Sequence, residues 1–133
     1  MLAALLDERG DRRASGSAKE VVLAQLLCRA GLPDPVREHE VRANGRLVAR
    51  VDLAYPQWKV AIELDSVRWH TGGAALTRDA LRRNRLQSLG WIVVSVTVAV
   101  LERDPALAVA QVRDAIASRT DPIVARRARL SRR

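Results

Sequence analysis

At 133 residues, 48% of them hydrophobic and only 3% aromatic, the chain is sized for one domain, with a core of Leu, Val, Ala and Ile around Trp58, Trp69 and Trp91. No apolar run approaches the roughly 18–20 residues of a membrane span, a single cysteine excludes a disulfide or a thiolate zinc site, and the short apolar start, Met1 to Leu6, lacks the flank and cleavage site of a secretory signal. These features point to a cytoplasmic protein without a membrane partner. The net charge of +8, almost wholly arginine, suits phosphate, whose oxygens match the guanidinium fork. A GC-rich genome gives the same Arg-, Ala- and Val-rich composition, so charge alone does not decide for nucleic acid.

Residues 1–16 read as a flexible lead-in or a linker remnant, because Asp11, Arg12, Arg13, Ser15 and Gly16 are polar and turn-prone. A partner domain or protein upstream is consistent with that. The domain proper is expected over 17–118. It opens with a helix from Ser17, where Ser17-Ala18-Lys19-Glu20 forms a capping box and Val22, Leu23, Leu26, Leu27 and Ala30 keep helical spacing. Cys28 falls in that stretch and is expected to be a buried core residue. Gly31 ends the helix, and Pro33 and Pro35 block its continuation. Three strands follow: Val36 to Arg42, Arg46 to Tyr55 after the hairpin signal Asn44-Gly45, and Lys59 to Asp65 after Pro56. Gly72-Gly73 predicts a flexible loop, then a helix from Ala75 to Leu89, a β-branched strand from Trp91 to Thr97, and a last helix from Asp104-Pro105 to about Ser118. Residues 119–133 form a basic tail. The order αβββαβα predicts an α/β domain with a mixed sheet flanked by helices.

Asp52 and Glu63 stand out because each sits in a strand otherwise rich in Val, Ile, Leu and Ala. An ionised carboxylate in such a place is costly unless paired or bound to a metal. Glu63 and Asp65 are two apart and share a sheet face. If the second and third strands are neighbours, Asp52 converges with them, and three oxygen donors suit a hard cation, Mg²⁺ or Mn²⁺. Salt bridges to Arg50, Arg68 or Arg78 are the plainer alternative. His70 follows Trp69 and either orients or deprotonates a water at such a site or bonds locally in its loop. His39, between Glu38 and Glu40, reads as a surface residue. Glu20 is accounted for by the capping box, unless the helix start lies over the sheet end that carries Asp52. Arg78, Arg82 and Arg85 share one helix face, either as a phosphate-binding ridge or as a solvated face with Asp79 as partner.

These residues carry a resemblance. The segment ELDSVRWH (63–70) resembles the motif of very-short-patch-repair endonucleases, in which an acidic strand leads through a turn into Trp-His. TRDALRRNRLQSLGWIVVSVT (77–97) is similar to their helix-to-strand segment. The closer likeness is to domain-of-unknown-function family 559, whose pattern of helix Glu, Asp, Glu-x-Asp, His and Asp-x-x-Arg is matched by Glu20, Asp52, Glu63 with Asp65, His70, and Asp79 with Arg82. The resemblance covers roughly residues 17–117. It implies a restriction-endonuclease-like fold of the PD-(D/E)xK nuclease superfamily and metal-dependent hydrolysis of a DNA phosphodiester. Asp52 would be the principal metal ligand, with Glu63 at the acidic motif position. Asp65 aligns with one active-site His of the repair enzymes and His70 with the second, assisted by Glu20. The motif lysine is absent, its place being held by Asp65, and Lys59 lies at the far end of the strand. The zinc ligands of the repair enzymes are absent too, so mismatch specificity does not carry over.

The expectation is therefore a Mg²⁺- or Mn²⁺-dependent DNA endonuclease or nickase. In it Asp52, Glu63 and Asp65 hold the metal, His70 and Glu20 handle the water, and Arg78, Arg82 and Arg85 grip the backbone. The alternatives are a catalytically inactive module of the same fold that binds nucleic acid or a partner protein, and a basic interaction domain whose acids are paired in salt bridges.

Overall fold

The computed structural model describes residues 18–65 and 73–120. The elements in chain order are α1 (18–29), β1 (Val36–Ala43), β2 (Arg46–Tyr55), a 3₁₀ turn (Pro56–Trp58), β3 (Val60–Asp65), α2 (Gly73–Ser88), β4 (Ile92–Thr97), α3 (Val98–Arg103) and α4 (Pro105–Thr120). The four strands form one mixed sheet in the order β1-β2-β3-β4. The first two pairings are antiparallel, and β3 runs parallel to β4 across the α2 crossover.

Two apolar clusters cover the two sheet faces. Leu23, Ala24 and Leu27 of α1 and Ala108, Val112, Ala115 and Ile116 of α4 meet Leu53, Tyr55, Val60, Ile62 and Val96 on one face. Leu86 of α2 and Trp91 meet Val41, Ala49, Val51, Ala54 and Ala61 on the other. The expected mixed sheet flanked by helices is thus present.

The buried stripe of α1 is Glu20, Leu23, Ala24 and Leu27, at i, i+3, i+4 and i+7. It is rotated from the expected one, and Val22 is 46% exposed. Cys28 is exposed, not buried, because it lies on the outer flank of that stripe, and its thiol donates to Asp34 Oδ1 at 3.6 Å. The expected capping residue, Ser17, lies outside the described residues.

The hairpin turns on Asn44 and Gly45, both at positive φ (53° and 77°), the combination that matches strand twist in a two-residue turn. A Cβ at Gly45 meets nothing within 4 Å, so only backbone strain opposes a side chain there. Gly45→Ala is expected to lower stability by about 1 kcal/mol, measurable by urea unfolding.

Three further expectations are corrected. Lys59 is not the first strand residue. It takes a left-handed conformation closing the 3₁₀ turn, and its Nζ donates to Leu89 O at 3.4 Å, at the sheet end away from Asp65. Gly73 begins α2 instead of extending a loop. Between β4 and the last helix lies α3, capped by Thr97, whose side chain accepts from Val100 N–H. The last helix runs to Thr120.

Candidate acidic site at the sheet fork

The β2–β3 ladder is short. It pairs Leu53–Tyr55 with Val60–Ile62, after which the two strands diverge toward the start of β2. Asp52 sits at this fork. In β2 the side-chain alternation slips by one there: Ala49 and Val51 face the same cluster as Ala54, whereas Leu53 and Tyr55 face the opposite one. The Asp52 carboxylate reaches across the fork and accepts the Leu64 N–H through Oδ2 at 2.8 Å. A side chain thereby satisfies a backbone donor beyond the end of the ladder.

Glu63 and Asp65 flank Leu64 on β3. Arg82, from the inner stripe of α2, donates through Nη1 to Glu63 Oε1 and through Nη2 to the Arg50 carbonyl at 2.6 Å. Arg83 lies 3.8 Å from Asp65 Oδ2 and donates to Ser95 Oγ at 3.1 Å. From the opposite face the α1 stripe carries Glu20, 8% exposed, up to the fork. Its Oε2 is buried without a hydrogen bond, and the Arg37 guanidinium stands 3.6 Å away.

A fifth acid, Glu38 of β1, joins them. Its neighbours Arg37 and His39 face Leu53 and Val51, which brackets Glu38 against Asp52. It holds a left-handed backbone (φ 48°) in mid-strand, a conformation costly for a residue with a Cβ.

These groups lie close enough for their charges to bear on one another. Burial pushes the Glu63 carboxyl up to about 7 against the pull of Arg82, and the charges of Asp52 and Asp65 add to the rise. Burial also raises Asp52, helped by Asp65 and Glu38 and opposed by the Leu64 N–H and Arg82. Burial raises Glu20, and Asp52 and Glu38 raise it further. Among the described residues four carboxylates, with the exposed Glu38 beside them, thus share the fork with Arg37, Arg82 and Arg83, an excess of negative charge in a partly dry place.

The structure places Asp52, Glu63 and Asp65 on neighbouring strands at the fork and Glu20 within electrostatic reach of Asp52, without drawing three of these carboxylates into one ligand set; His70 lies outside the described residues. Among the described residues the salt-bridge partners of Glu63 and Asp65 are Arg82 and Arg83, not the Arg50 or Arg78 of the plainer alternative, and its third candidate, Arg68, lies outside the described residues. Arg82 also leaves the expected ridge: it turns inward, while Arg78 and Arg85 remain exposed. His39 is half-buried, its ring 5.7 Å from Trp91. Among the described residues no three His, Cys, Asp or Glu side chains are drawn together as a ready-made metal site. Mg²⁺ asks for less, since it keeps several waters and is held by one or two carboxylates plus phosphate oxygens. The adjacent pair Asp52 and Glu63 fits that requirement, because the contacts above use only one oxygen of each.

Sequence reasoning missed Glu38, Arg37 and Arg83. Glu38 alternates with Glu40 on an edge strand and reads as solvated. Only its register against Asp52 reveals it.

Among the described residues no helix is long and apolar enough to cross a membrane. No family model matches the chain, and no solved structure matches it. The chain is similar to two curated proteins of Mycobacterium tuberculosis, uncharacterized protein MT2308 of strain CDC 1551 / Oshkosh and uncharacterized protein Rv2248 of strain ATCC 25618 / H37Rv. Each is 37% identical over 95 residues, or 71% of this chain, and the aligned stretch spans 35% of the relative's own length.

Proposed function

We propose that the chain is a divalent-cation-dependent DNA endonuclease or nickase with a restriction-endonuclease-like fold, related to domain-of-unknown-function family 559 and the very-short-patch-repair endonucleases. The observation that carries this reading is the convergence of Asp52, Glu63 and Asp65, with Glu20 close by, from three elements on one sheet fork, where the described residues supply more carboxylate than guanidinium charge. Acids paired only for stability need not crowd to the point where burial and mutual repulsion raise three of them.

Asp52 and Glu63 would hold Mg²⁺ or Mn²⁺, with Asp65 beside them. When bound, the ion supplies Lewis-acid polarisation of a phosphate oxygen and a more acidic water. The Leu64 N–H fixes one oxygen of Asp52 and so orients the carboxylate. Glu20, anchored on the buried stripe of α1 with its Oε2 3.6 Å from the Arg37 guanidinium, would help orient a water at the site. His70, in the role the resemblance gives it, would accept the proton of the attacking water. Arg78 and Arg85, both exposed on α2, are available to backbone phosphates.

The second reading, an inactive binding module of the same fold, is favoured by the arginines that already hold Glu63 and Asp65. Incubation with supercoiled plasmid separates the two. The nuclease reading expects Mg²⁺- or Mn²⁺-dependent nicking that chelation stops, and DNA binding with no cation-dependent nicking would leave the inactive module.

A further inference from the structure

Arg82 occupies an unusual place for an arginine of a basic helix. It belongs to the inner stripe of α2 with Ala75, Asp79, Leu86 and Leu89, and its side chain is only 32% exposed. Nη1 is committed to Glu63 Oε1 and Nη2 to the Arg50 carbonyl, so the guanidinium is tied to β3 and β2 at once, astride the fork. It is also the guanidinium whose charge Asp52 feels. Among the described residues no other cation contacts Glu63.

Coulomb attraction draws a divalent ion and a guanidinium to the same carboxylate, and each disfavours the other nearby. We propose that Arg82 is a positioning residue that holds Glu63 in place of a cation and must yield that carboxylate when a divalent ion binds. The proposal rests on the metal reading of the site given above. It assigns Arg82 a role different from gripping the backbone, because a guanidinium with both ends engaged is not free to meet DNA before the ion arrives. A phosphodiester bound beside the ion is the ligand able to take the released guanidinium. Arg82 would then couple cation entry to the presence of substrate.

The test is a calorimetric Mn²⁺ titration of the full chain as wild type, Arg82→Ala and Arg82→Gln, with binding of a short DNA duplex measured separately in chelator. Removing the competing charge is expected to tighten Mn²⁺ binding by about tenfold in Arg82→Ala. Arg82→Gln is neutral and keeps a polar side chain with a hydrogen-bond donor. It is expected to tighten binding too, which keeps the test valid if the alanine variant misfolds. Cation-free DNA affinity and its salt dependence should not change, whereas loss of a true phosphate contact would weaken binding and lower the salt slope by about one. Unchanged or weaker Mn²⁺ binding in a folded variant overturns the role of Arg82 alone. The same role falls if cation-free DNA binding drops with that reduced slope. Absence of Mn²⁺ binding in wild type and both variants overturns the metal reading and this inference together.

Discussion

Asp52→Asn is expected to reduce Mg²⁺-dependent cleavage by at least about 100-fold while raising the melting temperature of the metal-free protein. The two effects have one cause. Burial raises the Asp52 carboxyl, and the charges of Asp65 and Glu38 add to that rise, so its ionised form opposes folding. The amide keeps an oxygen for the Leu64 N–H and removes the charge. The same substitution takes away the anionic ligand that a hard cation needs. A plasmid nicking assay and a thermal melt in chelator check both halves. A variant that melts lower than wild type would mean that Asp52 serves to brace the fork.

Glu63→Gln is expected to stabilise the metal-free protein at pH 8 by at most about 3 kcal/mol, and by nothing near pH 4.5. The sign follows from the direction of the shift. Burial lifts the folded-state Glu63 to about 7 from an ordinary 4.5. The folded chain therefore holds this proton more tightly than the unfolded one. The stability it contributes is complete below about pH 4.5 and is lost as pH rises to about 7. Glutamine does not titrate, so its stability profile should be flatter through that window. Urea unfolding in chelator at pH 5 and pH 8 measures the difference. If Glu63→Gln is the less stable protein at pH 8, the ion pair with Arg82 outweighs the cost of burial.

Much of the fold was legible because local chemistry and global packing agree. Asn44-Gly45 demanded a hairpin and produced one; the Val-Ala-Ile run of β3 reads as a strand buried on both faces, and it is the centre of the sheet. The short α3 was hidden because its apolar run continues the β-branched strand before it, and only the Thr97 cap divides them. Cys28 misled because α1 is apolar over more of its circumference than it buries.

The site was half legible. Glu63 and Asp65 on one strand follow from a spacing of two, and Asp52 was conspicuous among Val and Leu. Glu38 was not, for a physical reason. Extended from the turn, where Ala43 faces Arg46, the register sets Glu38 against Val51; the irregularity at Val41/Arg42 shifts it by one, against Asp52. A bulge cannot be read from alternation, because it is the place where alternation fails. The inward turn of Arg82 was equally hidden, since its i, i+4, i+7 neighbours Arg78 and Arg85 suggested a shared solvent face.

A divalent cation held at the sheet fork for phosphodiester chemistry is the feature on which the proposed function depends. Anomalous scattering from crystals soaked in Mn²⁺ tests it most directly. A peak is expected between Asp52 and Glu63, with Arg82 withdrawn from Glu63. Occupancy only at other carboxylates, or Arg82 still on Glu63 with no peak at the fork, would contradict it.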